Sequence, residues 1–316
     1  MRKLLIGLLF PLCAHAQSWP QKPIKVIVPF PPGGVTDALA RITADWLTQR
    51  LGQPVVPDNR PGASGAIAAD LVARAEPDGY TLFSAATPQL AVVPHVQKIT
   101  YDPIKDFAPI SIVGTNAFAL GCNAEKTPAK TLAEFVDYVK ARPGQLNYGS
   151  PGVGSIGHLT MALFLVRAGL KMEAVIYKGG GPAMADVVAG HVNCYFGNYN
   201  EILPHAGSGR VRVLATSGEK RARQLPDVST VAEQGYPGFR TETWNGYVAP
   251  AGTPRDIVKR LQEESLTALK SNAVTERFAS DSALGGGGPP EEFAAFIAQQ
   301  QKVWKEIVVR AGIKPD

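Results

Sequence analysis

The chain has 316 residues, 45% hydrophobic and 19% charged, with a formal net charge of +5 at pH 7. That length suits two domains of ordinary globular composition. The charge is too mild, and its lysines and arginines too scattered, for a nucleic-acid partner; a modest positive balance suits a small anion.

Residues 1–16 read as a signal peptide that is removed on export. Arg2 and Lys3 form a basic start, Leu4–Leu12 an apolar stretch, and Ala14-His15-Ala16 a small-x-small cleavage site. The stretch is far short of the ~20 residues that span a bilayer. Cys13 follows Leu12, where a lipoprotein signal requires a small residue. A mature chain starting at Gln17 keeps +3 of the charge, since Arg2 and Lys3 leave with no acid.

Strand and helix signals alternate from there. Strand Ile24–Val28 leads into Pro29-Phe-Pro-Pro-Gly-Gly-Val-Thr-Asp37, and Asp37 reads as the N-cap of a helix Ala38–Leu51 closed by Gly52. Strand Pro54–Val56, helix Ala63–Ala75, the turn at Pro77-Asp-Gly79 and strands Thr81–Ser84 and Pro109–Val113 follow. The pattern restarts with strand Phe118–Cys122, helix Leu132–Ala141 and strand Gln145–Tyr148. A second glycine-rich loop, Tyr148-Gly-Ser-Pro-Gly-Val-Gly-Ser-Ile-Gly-His158, opens the next helix. Strands Ala174–Tyr177, Val192–Phe196 and Val211–Ala215 complete that half. Strand Thr243–Val248 returns to the first, Gly285–Gly288 reads as a flexible turn, and a last helix carries the apolar face Phe293, Phe296, Ile297, Trp304, Ile307 and Val308. The fold class is therefore α/β in two lobes, each a mainly parallel five-stranded sheet with one antiparallel strand. The lobes divide as 17–115 with 223–316, and 116–222. The chain crosses between them near Gly114–Ala117 and again within Ser217–Trp244, which makes a hinge.

Loops at the carboxyl ends of parallel strands are where α/β proteins bind ligands. Candidate ligand-binding residues are Gly33, Gly34, Val35, Thr36 and Asp37 in the first loop, and Ser150, Gly154, Ser155 and His158 in the second. At other strand ends they are Ala86, Thr87, Asn198, Tyr199 and Trp244. Tyr199 and Trp244 serve either as stacking surfaces or as packing. Gly152-x-Gly154-x-x-Gly157 matches a dinucleotide fingerprint, but the following strand ends in Lys178-Gly179 with no acid for a ribose, so no cofactor is expected. Gly154-Ser155-Ile156-Gly157 is one residue short of a nucleophile elbow, and no acid is placed to orient His158, so catalysis is not expected. There is no CxxC pair and no histidine pair at metal spacing, hence no expected metal. Cys122 and Cys194 stand in strand-like runs, and export permits either a disulfide or two buried thiols.

These residues carry a resemblance. Pro29-Phe30, Gly33-Gly34, Asp37, Ala40-Arg41, Asn59-Arg-Pro-Gly62, Pro77-Asp-Gly-Tyr-Thr81, Tyr148-Gly-Ser150, Gly154-Ser155, His158, Tyr177-Lys-Gly-Gly180, Leu225-Pro-Asp227, Trp244 and Pro250-Ala-Gly-Thr-Pro254 resemble, in order and spacing, the periplasmic substrate-binding proteins of tripartite tricarboxylate transporters, the Bug family. The resemblance implies a type II periplasmic-binding-protein (Venus flytrap) fold and capture of a small carboxylate through backbone amides, hydroxyls and waters. It implies a monomer that delivers its ligand to a two-subunit membrane permease. The alternatives are a receptor that signals to a membrane sensor kinase and, further off, an enzyme acting on a small acid. Gly197 departs from the family, whose members often carry Asp before the Asn, and Cys122 and Cys194 are unusual for it.

Overall fold

The computed structural model describes residues 19–281 and 284–313; the expected signal peptide lies outside the described residues. The chain runs β1 (Ile24–Val28), α1 (Val35–Leu51), β2 (Val55–Asn59), α2 (Ala66–Ala73), β3 (Thr81–Ala86), β4 (Phe107–Asn123), α3 (Leu132–Lys140), β5 (Asn147–Ser150), α4 (Ile156–Ala168) and β6 (Glu173–Ile176). It continues with α5 (Gly180–Ala189), β7 (Cys194–Asn198), α6 (Tyr199–Gly207), β8 (Val211–Thr216), β9 (Glu242–Pro250), α7 (Arg255–Ala268), α8 (Asn272–Asp281), β10 (Leu284–Gly285) and α9 (Pro290–Arg310).

Two sheets share one strand. In the first lobe the order is β2-β1-β3-β9-β4, parallel through β2, β1 and β3, with β9 antiparallel between β3 and β4. In the second it is β6-β5-β7-β4, parallel except for β4, with β8 on β4's other edge. The expected mainly parallel five-stranded sheets are present, and β10 adds a sixth strand to the first. Gly285 pairs with Gly114, and Gly286 N–H donates to Val113 O at 2.8 Å, so the glycine run expected as a loose turn begins as an edge strand.

β4 is one 17-residue strand rather than two. Phe107–Ala117 pairs with β9, and Phe118–Asn123 pairs with β7 and β8. The Gly-Thr-Asn stretch at 114–116 has the composition of a turn, but it stays extended because β9 holds it across the gap between sheets. Irregularities between Pro109 and Ser111 and between Ile112 and Gly114 add the local twist that lets one strand serve both sheets.

Helices α6 and α8 are additions to the sequence reading. Pro204 inside α6 conceals it. Its start is nonetheless encoded, because Asn198 and Glu201 form a capping box in which each side chain takes the other's backbone N–H.

Helix α9 straddles both lobes. Phe293 and Ile297 pack with Phe83, Leu90 and Trp244 of the first, while Trp304, Ile307 and Val308 join the core of the second. Residues 223–241 clasp the second lobe: Val231 N–H donates to Thr216 O at 2.8 Å, and Phe239 packs on Phe164. Phe164 is the centre of that core, with ring centroids at 5.4 Å from Tyr236 and 6.3–6.4 Å from Phe135, Phe196 and Phe239. Phe164→Ala is expected to lower unfolding free energy by about 3–5 kcal/mol, as removal of a fully buried ring does, measured by urea denaturation.

Candidate functional site

The first loop leaves β1 and turns into α1 with Gly34 as N-cap, extended, and with no side chain capping the helix. Its first-turn amides are thus left for another acceptor. Gly33 has φ +97°, a conformation glycine adopts without penalty. Asp37, expected as the N-cap, is instead the third residue of α1 and reaches back over the loop. Its Oδ2 accepts from Gly33 N–H (2.9 Å) and Arg41 Nε (2.9 Å), and its Oδ1 from Asn59 Nδ2 (2.8 Å). Burial pushes the Asp37 carboxyl up, but hydrogen bonds from Arg41, Gly33 and Asn59 outweigh it and hold it below the ordinary carboxylate range. Asp37 therefore shapes the loop, and Arg41, also bound to Asn59 Oδ1 at 3.0 Å, is spent on holding it. Thr36 Oγ1 donates to Asn245 Oδ1 at 2.7 Å, tying α1 to β9, and Val35 is buried.

At the end of β3, Ala86 N–H donates to Gln89 Oε1 at 2.9 Å. Thr87 is fully buried and its Oγ1 accepts from Trp244 N–H at 2.8 Å, a brace between β3 and β9. The Trp244 indole stands edge-on to Phe293 (centroids 5.4 Å, 88°) and Phe296 (6.0 Å, 70°), inside the first lobe's core. Of the two roles open in the sequence, packing is the one its surroundings give it.

The second loop leaves β5 and enters α4. Ser150 is fully buried and its Oγ bonds within the loop to Gly152 O at 3.0 Å. Ser155 is the N-cap of α4, its Oγ accepting from His158 N–H at 3.3 Å. Gly154 N–H donates to His158 Nδ1 at 3.3 Å, which places the ring proton on Nε2. Burial lowers the His158 pKa, so the ring is neutral near pH 7. A Cβ at Gly157 would stand 2.4 Å from Phe196 O, so only glycine lets α4 start this close to β7.

Asn198 and Tyr199 diverge. Asn198 ends β7, caps α6, and its Oδ1 accepts from Asn116 Nδ2 at 2.9 Å, a bond from the end of β7 to the crossing stretch of β4. The Tyr199 ring is buried among Ala183, Met184 and Tyr195 of the second lobe's core. Asn116 is a residue the sequence reading missed: it is nearly fully buried in the crossing part of β4, and its Oδ1 meets no donor among the described residues. Behind Asn198, burial raises the Glu201 pKa against the hydrogen bonds it accepts from Tyr195 OH (2.9 Å) and Asn198 N–H (3.0 Å). A Cβ at Gly197 would fall 2.2 Å from Tyr195 Cε1, so the Tyr195 ring occupies the space that a side chain at 197 would need.

Cys122 and Cys194 face each other across β4 and β7 as buried free thiols. Of the two states that the sequence left open, this is the reduced one, and burial pushes the Cys122 thiol up. Among the described residues no cluster of three or more metal-ligating side chains occurs, and no helix is long and apolar enough to cross a membrane.

A pair of α/β sheets joined through one strand, with glycine-rich loops at the strand ends, defines a two-lobed binding protein of the periplasmic-binding-protein fold. Residues 39–313 match the model of the tripartite tricarboxylate transporter family receptor. BugT of Bordetella pertussis is 38% identical over 301 residues, 95% of this chain and 92% of BugT. R. palustris Rpa4515, solved with adipate, superposes with a TM-score of 0.90 at 35% identity, over 95% of this chain and 100% of that one. MatC of Rhodopseudomonas palustris, solved with malate, superposes at 0.85 and 31% identity, over 92% of this chain and 100% of that one. The chain belongs to the tripartite tricarboxylate transporter receptor family. It is a solute-binding receptor and not an enzyme.

Because the Asp37 pKa is depressed in the folded protein, its contribution to stability is present above the ordinary carboxylate value of 3.8 and fades as pH falls through its lower folded value. Asp37→Asn should cost about 1–2 kcal/mol at pH 7, a range discounted for the half-exposed Arg41, and progressively less below pH 3.8. Urea titrations of both proteins at pH 7 and pH 3 measure this.

Proposed function

We propose that this receptor is exported to the periplasm through residues 1–16, closes its lobes on a small carboxylate, and hands it to the two-subunit membrane permease of a tripartite transporter. The observation that carries the reading is the uncapped N-terminus of α1, set against a second loop that opens α4, with no lysine or arginine in Pro29–Asp37 or Ser150–His158. Helix N-termini concentrate unpaired N–H groups and a partial positive charge, which favours an anion. The amides of Gly34, Val35 and Thr36, and the groups of Ser150, Gly154, Ser155, His158 and Asn198, would hold it, with Gly33 shaping the turn through its bond to Asp37. Asp37, Ala86, Thr87, Tyr199 and Trp244 would keep those groups in place. The adipate in Rpa4515 and the malate in MatC support a dicarboxylate of four to six carbons.

Magnitudes agree with this. Micromolar affinity needs about 8 kcal/mol. Four or five charge-assisted hydrogen bonds at about 1.5–3 kcal/mol each reach that after ordering costs. As moving units, the lobes correspond to 17–115 with 242–316, and 116–241; residues 223–241 travel with the second because Val231 and Phe239 are bound into it.

A thermal-shift screen of mono-, di- and aromatic carboxylates, followed by calorimetry, should give a rise in melting temperature with at least one dicarboxylate. No shift with any acid would count against the reading. Ser155→Trp should weaken the hit by at least tenfold while far-UV dichroism stays unchanged, and an unaltered affinity would remove the second loop from the site.

A further inference from the structure

The loop between β2 and α2 has an unusual backbone. Gly62, Ala63, Ser64 and Gly65 all have positive φ, at +137°, +47°, +53° and +89°. Two of the four are not glycine, and L-residues with a Cβ are strained in that region. The strain is held in place from within the first lobe. Gln89 Nε2 donates to Ser64 O at 2.8 Å while its Oε1 takes Ala86 N–H, and Gln97 Nε2 donates to Ala63 O at 3.2 Å. A Cβ at Gly65 would stand 2.3 Å from Gln89 Nε2, and one at Gly62 would stand 2.6 Å from Ile67 Cδ1, so neighbouring atoms define the whole turn.

With both loop carbonyls anchored backwards, the Ser64 hydroxyl points the other way. It donates to Val153 O at 2.7 Å. Val153 lies between Gly152 and Gly154, in the middle of the second glycine-rich loop, so this bond joins one lobe to the other. Strained non-glycine backbone persists where surrounding structure over-determines it, and such places cluster at ligand clamps.

We infer that Ser64 is a positioning residue for ligand retention: an interlobe latch whose hydroxyl grips the Val153 carbonyl when the lobes close and thereby sets the rate of ligand escape. The inference rests on the receptor reading above. The bond needs the lobes together, so it stabilises the closed state and contributes nothing to the first encounter. Its loss belongs in the dissociation rate. The bond also fixes the peptide groups next to Gly154 and Ser155 at the moment the site is filled.

Stopped-flow kinetics with malate and adipate as probes test this on three proteins. Ser64→Ala keeps the strained turn and removes the hydroxyl; Ser64→Gly removes both. The latch predicts that each variant raises the dissociation rate about three- to tenfold, the range expected for one hydrogen bond of modest net worth, with the association rate unchanged. An unchanged dissociation rate in Ser64→Ala overturns the latch, and a change confined to Ser64→Gly assigns the effect to backbone strain and overturns it as well. Spin labels at the exposed positions 76 and 171, one per lobe, give a readout that needs no ligand (Glu76→Cys, Lys171→Cys). Ser64→Ala should shift the interlobe distance distribution toward longer values, and identical distributions overturn the proposal. If the wild type binds neither acid, nor any other in the carboxylate screen, the receptor reading fails, and the distance measurement still decides the latch.

Discussion

The pairing of β4 with β9 is the constraint on which the rest depends. The two strands hold each other from Phe107–Pro250 to Ala117–Glu242, and β4 alone then continues into the second sheet. The lobes are therefore joined by backbone hydrogen bonds rather than by a loose tether, and any relative motion has to twist this ribbon. Helix α9 adds a second tie, with one end in each core. Asn116 sits on the crossing stretch and bonds Asn198, so that stretch and the end of β7 are mechanically one object.

Electrostatically, the proposed site would attract an anion without committing a cation to it. Arg41, a turn into α1, is neutralised by Asp37, and that pair orders the loop instead of meeting solute. What remains is backbone N–H and hydroxyl groups, whose directions are set by the turn. Such a site reads geometry and the number of carboxylate oxygens more than charge alone.

Much of this was legible in the sequence because it is written locally. Alternation of strand and helix, glycines after β1 and β5, and ordered short motifs specify the two-lobed α/β class and place a glycine-rich loop before α1 and another before α4. What escaped depends on contacts distant along the chain. The crossing of β4 looks like a turn because Gly114, Thr115 and Asn116 have turn chemistry, and only β9, more than a hundred residues later, keeps them extended. Trp244 near the start of one strand and Tyr199 just after another stand where ligand-stacking aromatics would, yet their rings are buried in cores that the sequence does not reveal. Asp37 was legible as an element that starts a helix, and misplaced by three positions because its carboxylate reaches back to Gly33. Helix α6 was legible in Asn198-x-x-Glu201, a capping signature hidden by the proline after it.

Gly197 and Tyr195 impose an order on change. The ring of Tyr195 lies where a side chain at 197 would have to be, and its hydroxyl is tied to buried Glu201. An acid cannot be introduced at 197 in one step: the tyrosine must first shrink, and Glu201 then loses a partner. Two positions separated by one residue are thus coupled, because making room at 197 removes one of the two hydrogen bonds that hold the buried Glu201 carboxylate and leaves it only the Asn198 N–H.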